Sequence, residues 1–511
     1  MRSYRQTVRC VPFTRQRLEE EVRLASRAIK GSNPALQVRF LGSYLENAEA
    51  GARTILVEHP YVDRHFLEEY SHYYATTLHP PPPKATRLHF FKVSLTSRSF
   101  NAQLKCAANG QFEEVCRKLS DAYLGFTVIR PLPDAPIGRT IFRTYSSNGQ
   151  RRRCYTLPPH PYRVHLCGLR LGICGVPFQQ QEQAVGACAT SAAWSALAQV
   201  MRHDGGRAPT PFAVTEAATR NWVSDRVFPA TSGLKNEQIL EAIRQFGYSP
   251  LFFEPKNQTA LFTLAVKCYL QSNIPVILKV TYPDETDAHA ITAVGFLEHD
   301  GTDVPEMEYQ REGWTTLRLK SKGMSRLYVH DDRFGPYARA EWKTDPNTGF
   351  IKLKYLPREP GFEEFQQEAD VEAAMVPIYP KIRLSAQDLV GFAAELLPFF
   401  RQLVGPENRD KLLISLHFCL AGDCLELLYH SEIPPRRLVA FARQANLSRY
   451  VGLINFSVSE NLVAYVICDS TDMRRDTPAA PPLLAFLPRY NQHLEAIEEY
   501  VKRFAWKALV L

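Results

Sequence analysis

The chain is expected to be an α+β protein in three regions, and three observations predict it. Between residues 156 and 380, helical segments come first and apolar strand-like runs follow, the order expected when helices pack on an antiparallel sheet. Residues 1–155 also mix amphipathic helices with strands, without a regular βα alternation. Finally, 511 residues exceed what one core ordinarily fills, so more than one domain is expected.

In residues 1–155, a charged amphipathic helix is expected over 15–30 and a Tyr- and His-rich helical stretch over 61–74. The run Pro80-Pro81-Pro82-Pro83 cannot continue a helix and marks a stiff connector. LHFFKVSL (88–95), GFTVIRPL (125–132) and RTIFRTY (139–145) follow as strands.

In residues 156–380, YRVHLCGL and GICGVPF are expected as strands, followed by helices over 188–202, 236–246 and 259–272. Strands are then expected over 275–282, 289–297, 326–332 and 349–356, with a turn at Gly335-Pro336. In residues 381–511, Ser385 can cap a helix running to Phe400, with Asp388 in its first turn. LLISLHFCL and CLELLYH around Ala421-Gly422-Asp423 have the pattern of a hairpin. YVGLINFSV and LVAYVICDS supply two strands, and an amphipathic helix from Asn491 closes the chain.

Composition narrows the function. A 45% hydrophobic, 22% charged chain is ordinary for a globular protein. The basic, polar opening MRSYRQTVRCVPFTRQ lacks the apolar core of a secretory signal, and nothing approaches a membrane span. A cytoplasmic protein without membrane partners is expected. Eleven scattered cysteines suggest no disulfide framework. The net charge of +8 is concentrated in the first 150 residues and Arg151, Arg152 and Arg153. With no nucleic-acid-binding motif, that excess is a solvated basic face before it is a nucleic-acid site.

The chemistry concentrates in three segments. In VPFQQQEQAVGACATSAAWSALAQV, Gly186 breaks the loop, and Ala192, Trp194, Ala196, Leu197 and Val200 line one helical face. That spacing places Cys188 at a helix start, where free amides and the helix dipole favour a thiolate, the nucleophilic form. Taken alone, Cys188 would better suit a core position as a small hydrophobe; the histidine and aspartate that accompany it favour the nucleophile. In TDAHAITAVGFLEH, His289 opens an apolar run after the polar stretch 284–287, the place of a fixed base; His299 sits in a charged turn and is the weaker choice. In SRLYVHDDRFGPYARA, Leu327 and Val329 set the strand phase, which puts Asp331 on the core side and Asp332 with Tyr328 and His330. Phase favours Asp331 as the acid, with Asp332 as the alternative.

Gln, Cys at a helix start, His on a strand and Asp on the next resembles the papain-like thiol peptidase superfamily. VPFQQQEQ…CATSAAWSAL, HAITAVGF and YVHDDRFGPY are most similar to bacterial double-glycine leader peptidases, over about residues 170–357. The resemblance implies a papain-like central domain whose Cys-bearing helix packs on an antiparallel sheet carrying His and Asp. It implies Cys188 as nucleophile, His289 as base and then acid, and Asp331 or Asp332 as the group orienting the imidazole. The Cys188 amide and an upstream glutamine would hold the oxyanion. The family's glutamine stands six residues before the cysteine, where this chain has Glu182; Gln181 is chosen from Gln179, Gln180, Gln181 and Gln183. Ala189 follows the cysteine where papain has tryptophan and leader peptidases commonly have glycine, and 298–324 is a charged insertion.

The implied activity is a bacterial cysteine peptidase acting on a protein or peptide through a thioester, with no cofactor or metal, and with a protein activator or regulator as a possible partner. A transglutaminase, deamidase or acyltransferase shares the same triad chemistry, and an inactive papain-like interaction module is the other alternative. His417, Cys419, Cys424 and His430 lack any common zinc spacing and are assigned to packing. Asp469, Thr471 and Asp472 suggest a turn with local ion pairs.

Overall fold

Apolar residues alternating along short strands, with amphipathic helices between them, fold into antiparallel sheets covered by helices. The structure, a computed structural model, describes residues 7–29, 35–47, 49–146, 152–182, 188–221, 233–255, 258–283, 288–298, 306–309, 317–345, 348–357, 367–430, 435–444, 447–458, 461–471 and 483–486. The expected helix from Asn491, together with Gln183, Gly186, the stretch 284–287, His299 and Asp472, lies outside the described residues.

The N-terminal region contains β1 (Thr7–Pro12), α1 (Arg15–Ser26), α2 (Leu36–Glu46), β2 (Thr54–Tyr61), α3 (Arg64–His72), β3 (Ala85–Phe91), α4 (Ser97–Cys106), α5 (Phe112–Ala122), β4 (Tyr123–Ile129) and β5 (Ile137–Phe142). The five strands form one antiparallel sheet in chain order. Thr14 caps α1 by accepting from the Arg17 amide, and Asp63 caps α3 by accepting from the amides of His65 and Phe66. The expected helix over 61–74 is shorter, because 54–61 is the strand β2.

The central region continues with β6 (Arg153–Tyr155), β7 (Tyr162–Leu166), β8 (Leu169–Ile173), α6 (Cys188–His203), α7 (Pro211–Thr219), α8 (Asn236–Gln245), β9 (Ser249–Phe253), α9 (Thr259–Gln271) and β10 (Val276–Thr281). There follow β11 (His289–Glu298), β12 (Glu306–Tyr309), β13 (Leu317–Lys320), β14 (Met324–Asp331), β15 (Gly335–Thr344), β16 (Ile351–Tyr355) and β17 (Glu368–Ile378). Strands β10, β11, β14, β15, β16 and β17 pair in that order, and β17 pairs back with β10, closing the path into a ring. β6 adds to β11, and β9 adds to β17. Ala192, Trp194, Ala196, Leu197 and Val200 are buried as their spacing predicts, and the Thr292 hydroxyl of β11 donates to the Ala192 carbonyl at 2.9 Å, fixing α6 on the sheet. The insertion after β11 contains the hairpin of β12 and β13, whose Lys320 donates to the Asp410 carbonyl.

Two expectations here are corrected. Gly335-Pro336 begins β15; the turn is one step earlier, where Asp331 accepts from the Arg333 amide and its carbonyl accepts from that of Phe334. The strand expected at GICGVPF ends at Ile173, and Phe178 instead bridges to Thr140 of β5.

The C-terminal region contains α10 (Ala386–Leu403), β18 (Leu412–Leu420), α11 (Ala421–Tyr429), α12 (Pro435–Gln444), β19 (Tyr450–Val458), β20 (Asn461–Asp469) and β21 (Leu483–Phe486), with its four strands in one antiparallel sheet. Ser385 caps α10 in a reciprocal box with Asp388. The expected hairpin after LLISLHFCL is overturned: residues 421–429 are helix α11. Cys424 and Leu428, four apart, both bury on one face, a spacing that only a helix brings together. β18 pairs with β19 instead.

The three regions share one extended core, from Leu18 and Phe40 through Trp194 and Val329 to Leu389 and Phe456. The N-terminal region is tied to the loop before α6 by a buried ion pair. Arg130, 1% exposed, meets Glu69 at 3.2 Å and donates to the carbonyls of Ala135 and Gln180. Arg130→Met is expected to cost about 3–5 kcal/mol in unfolding experiments, because it strands a buried carboxylate; a loss under about 1 kcal/mol would refute that role. No described helix is long and apolar enough to cross a membrane.

Candidate functional site

Antiparallel pairing explains why residues far apart in sequence meet. β11 runs against β14 with Thr292 opposite His330, so the start of β11 and the end of β14 lie at the same edge of the sheet. His289 is the first residue of β11 and Asp331 the last of β14. α6 packs across this sheet with Cys188 as its first residue, so the thiol sits where helix amides are free and the dipole is positive.

The structure brings Cys188, His289, Asp331 and Asp332 together. The Cys188 side chain is near enough to the His289 ring to contribute to raising its pKa. The ring's Nε2 lies 3.1 Å from Asp331 Oδ1 and 3.4 Å from Asp332 Oδ1. With Nε2 directed at the carboxylates, Nδ1 is the nitrogen left for the sulfur. His289, Asp331 and Asp332 are 7%, 0% and 4% exposed, whereas Cys188 is only partly buried, so reagents reach the site at the sulfur.

The two aspartates differ in their surroundings. Asp331 Oδ1 accepts from His289 and from the Arg333 amide at 2.9 Å, and its Oδ2 accepts from Tyr355 at 2.6 Å and Tyr282 at 3.1 Å. Asp332 makes the longer approach to His289, and among the described residues its Oδ2 has no hydrogen-bond partner. The strand phase that favoured Asp331 therefore leads to the better-held acid. Phase does not separate the pair as expected, though, since a register shift between Val329 and Asp331 lets both carboxylates face the ring.

The electrostatics follow from this. Burial alone would push the His289 pKa down, but Asp331 and then Asp332 outweigh it and hold the imidazole well above its ordinary 6.5. Burial works to raise Asp331, yet His289, Tyr355 and the Arg333 amide bring it below the usual carboxylate value. Asp332 is pushed up to about 6 by burial and the Asp331 charge, against the pull of His289. A depressed carboxylate stabilises the fold above its unfolded pKa, and a raised imidazole does so below its own. The His289–Asp331 pair therefore contributes fully between the ordinary values of 3.8 and 6.5. Its contribution fades as pH falls through the depressed Asp331 value or rises through the raised His289 value.

Of the upstream glutamines, Gln179 donates to Glu69 at 2.7 Å and Gln180 accepts from the Ile137 amide, so both side chains hold the loop. Gln181 is exposed and lines a cavity together with Asp332. Tyr282, Tyr355 and Gln37, which donates to the Asp332 carbonyl at 2.9 Å, complete the surroundings. No local signal marked them, since each acts only through the folded arrangement.

His330, next in sequence to the acids, is a buried histidine held neutral by burial, facing Ser195 and the Pro177 carbonyl. Among the described residues, His289, Asp331 and Asp332 are the grouping whose ligand atoms lie close enough to hold a metal ion, all within 4.8 Å of one another. A cation there would compete with the donors already on Asp331. Cys419 and Cys424 lie side by side, and Cys424 packs beside Leu428, Leu438 and Phe441, in keeping with a packing role. Asp469 accepts from the Thr471 amide, forming a local turn.

No protein-family model matches this chain, and no curated protein matches it. A functional reading therefore rests on the residues. A thiol, an imidazole and an ionised carboxylate in series can move a proton off sulfur and deliver it to a leaving group.

Proposed function

We propose that this chain is a papain-like cysteine peptidase, hydrolysing a peptide or isopeptide bond of a protein or peptide substrate. The observation that carries the reading is the His289 ring, hydrogen-bonded to the Asp331 carboxylate and near the Cys188 thiol. The raised His289 pKa supports an imidazolium at the site, the form that can give a proton to a leaving group. The Cys188 sulfur attacks the substrate carbonyl carbon, forming a C–S bond and an oxyanion. The Cys188 amide and Gln181 stabilise that oxygen. His289 gives its proton to the amine nitrogen as the C–N bond breaks, leaving a thioester. Water, deprotonated by His289, then attacks the thioester, and the thiolate leaves. Asp331, locked by two tyrosines, keeps the ring oriented throughout. The flanking regions are proposed to shape and regulate access to the cleft, an idea that Gln37 in the site wall supports.

The test is product chemistry together with a pH profile. Hydrolysis predicts a cut peptide whose new carboxylate carries oxygen from isotopic water, whereas a joined or deamidated product would move the assignment to transfer or deamidation. Iodoacetamide is expected to alkylate Cys188 faster than an unstructured thiol. The rate should fall as pH drops through about 6, because protonating Asp332 removes a charge that holds the imidazolium. Asp332→Asn is expected to erase that inflection; an unchanged profile would show that Asp332 does not act on the ring.

A further inference from the structure

Beside the His289–Asp331 pair, the structure has an acidic wall of which the proposed reaction uses only Asp332. A cavity of ≈ 350 Å³ is bounded by residues of the N-terminal region, by the loop before α6 and by the turn after β14. Three carboxylates line it: Asp134 at the exposed rim, half-buried Glu182, and buried Asp332. Among the described residues its one lining cation is Arg333, whose guanidinium lies 4.1 Å from the centre of the Tyr282 ring and whose charge also acts on Asp332. Leu132 and Pro133 add an apolar stretch of wall.

Asp332 provides an independent sign of a missing ligand. It is 4% exposed, its Oδ1 faces His289 at 3.4 Å, and its Oδ2 has no hydrogen-bond partner. A buried carboxylate oxygen without a donor is costly, and a cationic donor supplies the missing hydrogen bond. Asp332's pKa stays up at about 6, raised by burial and Asp331 although His289 and Arg333 pull it down, so a further cation would still be favoured there. The local acidity also runs against a net charge of +8 on the whole chain. A long side chain with an aliphatic stem and a cationic head matches an apolar wall leading to carboxylates.

We infer that this cavity is the subsite for a basic side chain of the substrate, lysine or arginine, close to the bond whose carbonyl Cys188 attacks. The inference rests on the peptidase reading and adds its substrate class. The cleft discriminates by charge, so a peptide with an acidic residue at that position is repelled by the carboxylates.

The experiment uses the full chain and tripeptidyl chloromethyl ketones that differ at one residue, carrying lysine, norleucine or glutamate. Alkylation of Cys188 is followed by peptide mapping. The lysine probe is expected to react about tenfold or more faster than norleucine at one position, with glutamate slowest and the preference weakening in high salt. Glu182→Gln and Asp134→Asn together should reduce that preference several-fold; Asp134→Asn alone, at an exposed site, should lower it in the same direction without a risk to folding. Equal rates for all three probes at every position, with Cys188 still selectively modified by iodoacetamide, would overturn this inference and leave the peptidase reading standing. A Cys188 no more reactive than an unstructured thiol would overturn both.

Discussion

Replacing Cys188 with alanine is expected to lower kcat/KM by about a thousandfold or more, because no other group at the site can form the acyl-enzyme. The fold should tolerate it, since the side chain is small, only partly buried and at the first position of α6. His289→Ala should cause a loss of similar size for a different reason. The thiol then has no partner to accept its proton, and the leaving nitrogen has no donor. That variant should also lose about 3–5 kcal/mol of stability, because Asp331 is left buried without its imidazolium. Turnover and thermal unfolding measured on both variants separate the two effects. Combining them should cost little more activity than either alone, as expected of residues acting as a unit. Residual turnover within about tenfold of wild type in Cys188→Ala would remove the nucleophile from the mechanism.

The second large effect distinguishes the neighbouring acids. Asp331→Asn is expected to reduce kcat/KM by about 10²–10⁴-fold, since an amide neither stabilises the imidazolium nor holds its tautomer. It also removes a carboxylate that accepts from His289, Tyr282, Tyr355 and the Arg333 amide, so the fold should weaken at neutral pH. Asp332→Asn should do the opposite to stability. Because the folded-state pKa of Asp332 is raised to about 6, its ionisation costs stability as pH rises from 3.8 through that value. Removing the charge should therefore raise stability near pH 7 by on the order of 1–2 kcal/mol, with a modest activity loss. Denaturant unfolding at pH 5 and pH 7.5 reads the difference. If the two variants behaved alike, the unequal hydrogen bonding of the two carboxylates would have no functional weight.

Much of the fold was legible because it depends on local periodicity. The helices at 236–246 and 259–272 and the strands at 275–282 and 289–297 lie within a residue or two of their expected bounds. The errors fall where a short apolar segment satisfies two periods. CLELLYH suits a strand by composition, but the burial of Cys424 and Leu428 on one face, set by packing, makes it a helix. β15 was hidden because Gly335-Pro336 carries a turn signal, while the turn itself is made one step earlier by hydrogen bonds to Asp331.

For the site, the sequence by itself determined the residue types, the helix-start position of Cys188 and the strand start at His289. Each of these follows from the apolar pattern in its own segment. Strand phase also favoured Asp331. Only the tertiary structure decided why it is the better-held carboxylate: Tyr355 arrives from β16 and Tyr282 from just beyond β10, and a register shift lets Asp332 face the ring as well. The same holds for the glutamines, where Glu69 of α3 and the Ile137 amide of β5 engage Gln179 and Gln180 and leave Gln181 exposed. It holds too for the wall of the cleft, which Gln37 and Asp134 bring from a region with no catalytic pattern of its own. Local periodicity encodes which way a side chain faces along its own element. Which donor reaches it across an interface depends on how distant elements pack, and that information is spread over the whole chain.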